Sequence, residues 1–543
     1  MTTVTAPAFT GSSWAAGDFA GTGQMLRLYL RRDRVVAPLW ALLIGLLPAL
    51  QAVSIRGMYG SPEQLEQLAA TTAASPALIA MYGPVFGSSL GSIGTWEAGS
   101  AYAMIAIAAV LTVIRHTRVE EETGRAELVA ATSIGRFAGL TGALLLTGGA
   151  ALVAGITCTA ALLALELPLS GALAFGAALA GSGIVWATVA AVAAQLSTGA
   201  RIARGVAFGA LGAAFAVRAV GDAGNGVLSW FSPLGWCLQI RPFADERWWV
   251  LLPLGALAVG ATLLAYRLRR TRDLGAGLLA ERPGPPAASP ALSGPVGLAW
   301  RLQRGSLLGW TVGFGLYGLL IGGAVNSVGS MLDDSGSLRD VVTSIGGSAD
   351  LEKSFIAYAI TVLGAAAAAY SVSAVLRLHE EETTGRAESV LATAVGRVRF
   401  AASHLLFAIV GPAVALLVSG TAIGVVWGAT DGDLPNKLGE SLAGAAVQLP
   451  AVWVITALAV LLYGFVPAYT PLAWGVLSAT IVIFLFGSLG GLPQWVLDLV
   501  PFVHPPKLPG GAFDLVPILW LTAIALTGIV LGLAAFRRRD LRQ

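Results

Sequence analysis

The chain has 543 residues, 56% of them hydrophobic and only 12% charged, with a formal net charge of +3 and a mean hydropathy of +0.76. Soluble domains carry about 25% charged residues, so this composition excludes a water-soluble globular protein and points to a bilayer. The apolar runs are continuous and do not alternate with period 2, which excludes a barrel in favour of helices, and two cysteines, Cys158 and Cys237, make neither a disulfide framework nor a metal site.

Residues 1–24 are rich in Thr, Ala, Gly and Ser. They lack a basic region followed by an apolar run, so they read as a disordered tail and not as a signal peptide. MLRLYLRRDRVVAPLW (25–40) mixes Arg with Leu, Tyr and Trp, as an amphipathic helix lying in the membrane interface does. Spans follow near 35–55, 99–115, 137–164, 168–195, 203–220 and 248–267, each close to the length that crosses about 30 Å of hydrocarbon. Before the sixth stands LSWFSPLGW (228–236), aromatic, Pro-containing and too short to span, which fits an interfacial or re-entrant segment. Residues 269–297 are rich in Arg, Pro, Gly and Ser and read as a connector that packs no core.

The pattern then starts again. LAWRLQRGSLLGW (298–310) reads as a second interfacial helix, and spans follow near 308–327, 355–376, 400–427, 441–464, 472–489 and 515–536. LDLVPFVHPP (497–506) takes the place of LSWFSPLGW. The fold expected is an all-α polytopic membrane protein of about twelve transmembrane helices, with halves 25–268 and 298–543 joined by a cytoplasmic linker, 269–297. An even number of spans per half makes the halves parallel repeats, not inverted ones. All but eight of the 33 basic residues fall on one side of this topology, the exceptions being Arg56, Arg218, Arg241, Arg247, Arg339, Lys353, Lys437 and Lys507. The positive-inside rule makes that side, with both termini, cytoplasmic.

Between spans two and three of each half the same charged sentence is written. EEETGRAELVAATSIGR (120–136) and EETTGRAESVLATAVGR (381–397) are identical at 12 of 17 positions with a constant offset of 261. Each reads as a short helix in which Glu121 stands four residues before Arg125, and Glu382 four before Arg386. That order favours an i,i+4 pair, worth about 0.3–0.5 kcal/mol. Gly135-Arg136 and Gly396-Arg397 break the helix before the next span. Topology alone needs Arg and not clustered Glu, so an acidic loop repeated in this order has a further role on each half.

This "EExxGRxE…AT…GR" loop resembles the cytoplasmic loop of ABC-2-type permeases, the membrane subunits of one class of ABC exporters. The duplicated form resembles the bacterial permeases grouped as exporters of polyketide antibiotics, which include tetronasin-type and mycobacterial multidrug exporters. The resemblance implies a coupling helix in each half that docks in a groove of a separate ATP-binding subunit, through Glu120, Glu121, Thr123, Gly124, Arg125 and Glu127 in the first and Glu381, Glu382, Thr384, Gly385, Arg386 and Glu388 in the second. Two loops imply two ATPase subunits per permease chain. None of the three lysines follows a GxxxxG pattern, so the chain carries no P-loop and no ATP site of its own. ATP and Mg would be bound by the partner.

The resemblance also implies a substrate cavity between the halves, lined by spans two and five, whose aromatics include Tyr102, Phe208, Phe215, Tyr358, Phe484 and Phe486. A mostly apolar cavity suits a bulky hydrophobic drug or lipid. Charged side chains within spans are costly and few. Arg218 and Asp222, four residues apart, fit a pair at the outer membrane edge, and His404 faces either water or a helix neighbour. An ion-driven secondary transporter with two six-helix repeats is the alternative, but it needs mid-membrane acids or His, which the spans lack almost entirely. A membrane enzyme would need a catalytic cluster, and the external acids Asp333, Asp334, Asp431 and Asp433 match no repeat.

Overall fold

The computed structural model describes residues 16–273, 275–278, 287, 289–290, 294–334, 351–486 and 493–540. The chain separates into two units, 1–283 and 284–543. Among the described residues there is no strand, and eleven helices are long and apolar enough to cross a membrane. It is an all-helical polytopic membrane protein.

The first unit opens with a short 3-10 turn and α1 (Thr22–Arg32), so residues 16–24 are ordered, contrary to the tail expected there. Phe19 explains why: its ring packs on Phe137 and Tyr266 at 5.3 and 5.7 Å. Residues 1–15 lie outside the described residues. α1 stops at Asp33, and α2 (Val36–Met58) begins the first span with Pro38 in its opening turn. Pro38 has no N–H to continue the preceding helix. Buried Asp33 pins this corner by accepting from His116 Nε2 at 2.7 Å and pairing with Arg115 at 2.9 Å. The second unit holds no such break. α1's counterpart, 298–310, contains no proline and runs straight into the seventh span, within a helix Pro295–Asp334.

After α2 come α3 (Pro62–Ala73) and α4 (Pro76–Tyr82), helices not expected from the sequence, each started by a capping serine, Ser61 and Ser75. Further helices of this unit include α5 (Ala101–His116), α6 (Arg118–Glu122), α7 (Arg125–Ala130), α8 (Ala138–Leu163), α9 (Leu169–Leu196), α10 (Ala200–Ala223), α11 (Pro233–Gln239) and α12 (Leu251–Arg270). α5 and α6 together form the second span, Glu97–Glu122. α9 is the central helix, with Ala178, Leu179, Ala187 and Ala190 all buried. α8 and α9 cross where two glycines meet: a Cβ on Gly155 would lie 2.5 Å from the Gly176 carbonyl oxygen, and the reverse holds too. Small residues let membrane helices approach this closely and gain dispersion contact.

The helices of the second unit include α13 (Pro295–Asp334), α14 (Leu351–Thr383), α15 (Arg386–Leu391), α16 (Arg397–Asp431), α17 (Leu434–Val447), α18 (Leu449–Phe465), α19 (Leu472–Phe486) and α20 (Leu515–Arg538). α17 and α18 form one span, Leu434–Phe465. α19, the expected eleventh span, is a shorter apolar helix, and 487–492 lie outside the described residues. Its core centres on α14, α16 and α18, around buried Tyr370, Trp427 and Tyr463.

Candidate functional site

Both copies of the repeated loop adopt one backbone. The helix that ends the second span, α6 or α14, stops at a left-handed glycine: Gly124 has φ 71° and Gly385 φ 74°. A side chain at such a φ is disfavoured by contact between Cβ and the carbonyl. The threonine before it returns its hydroxyl to the carbonyl four residues earlier, Thr123 to Val119 at 2.9 Å and Thr384 to Glu380 at 2.7 Å. The glycine N–H closes on Glu121 or Glu382 at 3.1 and 3.0 Å. A new short helix, α7 or α15, then starts with Arg. Glu127 or Glu388 sits in its first turn, where a carboxylate favours the helix dipole. Thr132 and Thr393 cap the far end by donating to Val129 and Val390, both at 2.6 Å. The identical Thr, Gly and second Thr thus each hold a backbone contact.

The elbow overturns the expected pairing. A continuous helix would set Glu121 beside Arg125, but the glycine turns the arginine back by one residue. Arg125 pairs with Glu120 at 3.3 Å, and Arg386 with Glu381 at 2.9 Å. That hydrogen bond raises the Arg386 guanidinium above its usual range. Glu120 is also held by Arg32 at 2.7 Å, and Glu381 by Arg377 at 2.7 Å.

Glu121 and Glu382 instead point inward, each side chain less than a tenth exposed. Arg272, just past the sixth span, meets Glu121 with two nitrogens at 2.7 and 2.8 Å, and its Nε donates to Gln195 at 2.8 Å. Arg118 also pairs with Glu121. In the second unit Arg539 meets Glu382 with two nitrogens, both at 2.6 Å, and the Tyr463 hydroxyl donates to Glu382 at 2.7 Å. Two-point guanidinium–carboxylate contacts are short and directional. Arg272 therefore does not belong to a free connector. The chain after it folds back, with the Ala276 carbonyl accepting from Arg118 and Arg272 at 2.8 Å.

The sequence reading missed these arginines, though a signal for them was present. Arg-Asp-Leu occurs at 272–274 and again at 539–541, each just past the sixth helix of its half. With Glu121 and Glu382 turned inward, Arg125, Glu127 and Leu128 are exposed on the first short helix, and Arg386 and Glu388 on the second.

The remaining predicted residues are dispersed. Tyr102 is buried inside the first unit, with its ring 5.2 Å from Phe175. Phe208 and Phe215 are half-buried on α10. Tyr358 and Phe484 stack at 6.4 Å in the second unit. Phe486 ends α19, with its side chain outside the described residues. Arg218 and Asp222 pair at 3.3 Å, and Arg218 also donates to the Ala80 and Met81 carbonyls of α4 at 3.0 Å. His404 does not face water: it is buried, its ring 5.2 Å from Phe400. Among the described residues no group of His, Cys, Asp or Glu could hold a metal ion.

The fold and the site define a polytopic helical membrane protein whose two units each carry the same latched elbow. Comparison with known proteins places it further. A family model described as the C-terminal domain of the multidrug efflux system permease Rv1217c matches residues 292–537. The multidrug efflux system permease protein Rv1217c of Mycobacterium tuberculosis (strain ATCC 25618 / H37Rv) is 55% identical over 525 residues, covering 96% of each chain. The chain belongs to this family of multidrug efflux system permeases.

Proposed function

We propose that this chain is the membrane subunit of an ATP-driven exporter of hydrophobic drugs, antibiotics or lipid-like molecules, of the ABC-2 type and close to the tetronasin-type exporters. In this reading α7 and α15 are coupling helices, each docked on a separate ATP-binding subunit, so that one permease chain takes two. ATP and Mg are bound by those partners. The loops and both termini face the cytoplasm of a bacterial cell. The 55% identical relative carries efflux of multiple drugs in its name, which supports the substrate class.

The observation that carries the reading is the pair of elbows. Each presents a short exposed helix to water and ties its base to the end of the sixth span through a buried Glu–Arg contact. Movement of a docked ATPase would press on α7 or α15, and the latch would carry that displacement into the spans instead of letting the loop absorb it.

Co-expression with an ABC-type ATPase, followed by mass measurement and an ATPase assay, tests this. A complex of one permease with two ATPases, stimulated by a hydrophobic drug, is expected. Arg125→Ala with Arg386→Ala should lose drug-stimulated ATPase activity and transport. Folding should be spared, because both side chains are at least half exposed and exposed ion pairs are worth about 0–1 kcal/mol. Normal transport by the double variant would exclude the loops as the coupling elements.

A further inference from the structure

The two elbows differ in charge balance. In the first unit six arginines, Arg32, Arg118, Arg125, Arg136, Arg269 and Arg272, gather near three carboxylates, Glu120, Glu121 and Glu122. Arg118 and Arg272 are committed to Glu121, and Arg32 and Arg125 to Glu120. Glu122 turns to accept the Ala200 N–H at 3.0 Å. Arg269 is left with Glu121 at 4.0 Å although its side chain is only 11% exposed. Arg136 reaches the Arg270 carbonyl at 3.4 Å and, among the described residues, no carboxylate. Nearby Asp33 is taken by Arg115 and His116, and Asp273 faces solvent. The second unit carries a surplus of one arginine where the first carries three. With the offsets of the two repeats, 267 and 261, Phe536 stands where Arg269 stands and His379 where Arg118 stands. There Arg377, Arg386 and Arg539 pair with Glu380, Glu381 and Glu382, and Arg397, the counterpart of Arg136, donates to the Arg539 carbonyl at 2.8 Å.

Arg136 and Arg269 line a cleft of about 110 Å³ beside the already paired Glu120 and Glu121, with part of its remaining wall polar and part apolar, the latter from Met25, Leu28, Val129 and Leu140. This volume is about three or four times the share of one water in the liquid, room for a phosphate group. The cleft lies where the second span ends at Glu122, the third begins at Ala138 and the sixth ends at Arg270. That is the boundary between hydrocarbon and water, where phospholipid headgroups lie. Arg269, mostly out of water with its nearest carboxylate 4.0 Å away, is incompletely compensated, and phosphate offers the short two-point contact that this spacing does not.

We propose that this cleft binds a phosphate group, presented by the headgroup of an anionic phospholipid, between Arg136 and Arg269. Basic pockets between spans, with apolar walls that accept the start of an acyl chain, suit such headgroups. The site belongs to the first unit alone and makes the two elbows chemically unequal.

The test uses the purified full chain without any ATPase, so that it fails or succeeds independently of the coupling reading. Thermal unfolding is followed in nanodiscs of phosphatidylcholine, with and without phosphatidylglycerol, and in phosphatidylcholine with millimolar inorganic phosphate. A rise of roughly 2–4 °C with phosphatidylglycerol is expected. It should be absent in Arg136→Gln with Arg269→Gln and retained in Arg136→Lys, which keeps the charge. It should also be retained in Arg397→Gln, the equivalent change in the second unit, which has no counterpart of Arg269. If the double variant does not fold, Arg136→Gln alone, exposed and off the latch, serves instead. An equal response in the Gln variants overturns the site, and an equal response to inorganic phosphate overturns the lipid as its source. If phosphatidylglycerol does not raise the midpoint of the unaltered chain, the lipid proposal fails.

Discussion

Arg539 meets Glu382 through two guanidinium nitrogens, each 2.6 Å from a different carboxylate oxygen, although 157 residues of chain separate the two. Arg272 holds Glu121 in the same manner across 151 residues. Both carboxylates immediately precede an elbow, and both arginines lie just past the sixth span of their half. The contact closes each unit on itself, joining the end of its second span to the end of its sixth. A loop whose charges only set topology would leave both groups in water, where each is better solvated and neither is constrained. Desolvating them is worthwhile only if the elbow must hold its place.

The latch should dominate the stability of its end of the second unit. Arg539→Met leaves Glu382 buried with the Tyr463 hydroxyl as its remaining close partner, and breaking one side of a buried pair costs about 3–5 kcal/mol. Thermal unfolding in detergent should show a clear fall in midpoint. Replacing both partners, Glu382→Leu with Arg539→Leu, should recover most of it, because an apolar pair of similar volume carries no desolvation cost. An unchanged midpoint in Arg539→Met would mean that the ion pair holds nothing.

The elbow itself should be sensitive to backbone strain and not to size. No atom lies within 4 Å of a Cβ added at Gly124 or Gly385, so alanine fits both positions sterically. It must still adopt φ near +70°, at a cost of about 1–2 kcal/mol per residue. Gly124→Ala with Gly385→Ala should therefore shift the short helices while lowering global stability only slightly. Hydrogen exchange should report faster exchange at 125–131 and 386–392, with the spans unchanged. Uniform protection across both loops would remove the left-handed turn from the explanation.

The sequence made the spans, the duplication and the loops legible, because charged islands stand out in apolar runs and because the loop is written twice. The pairing inside the loop was not legible. A helical reading of Glu121 and Arg125 assumes continuous helix, and one glycine at φ 71° redirects both side chains. The latch was hidden for another reason: a contact across more than 150 residues leaves no local periodicity, and only the repeated Arg-Asp-Leu pointed to it. The break at Asp33 could have been read from Pro38. The unbroken Pro295–Asp334 helix follows from the absence of a proline in 298–310. Residues 16–24 read as tail because their anchors are long-range: Phe19 needs Phe137 and Tyr266 already in place, and the Asp18 and Ala20 carbonyls accept from Phe137 and Gly135.

The crossing of α8 and α9 should tolerate no side chain at its closest point. Gly155→Val would set a Cβ 2.5 Å from the Gly176 carbonyl oxygen, which is backbone and has little room to shift. Overpacking of this kind costs about 1–3 kcal/mol or more. Gly149→Ala, one turn and a half away on the same helix with no atom within 4 Å, should change stability by less than about 0.5 kcal/mol. Unfolding midpoints of the two variants should therefore separate, and equal midpoints would deny the close approach.

Cysteine chemistry can locate the docking surface directly, because the native thiols are silent. Cys158 and Cys237 are fully buried, and burial pushes the Cys237 thiol up to about 12. Only the thiolate reacts with maleimide, and burial both disfavours it and keeps the reagent out. The folded chain should therefore resist labelling until it is denatured. Leu128 is the most exposed large apolar side chain on α7, at 75%, and it makes no contact that the fold needs. Leu128→Cys should label within minutes in the isolated permease, and bound ATPase should slow that reaction by an order of magnitude or more if α7 is a docking helix. Glu66→Cys, exposed on α3 outside every span, controls for general shielding, since α3 follows the first span and the ATPase should leave its rate unchanged. Equal labelling of Leu128→Cys with and without the partner would place the ATPase elsewhere.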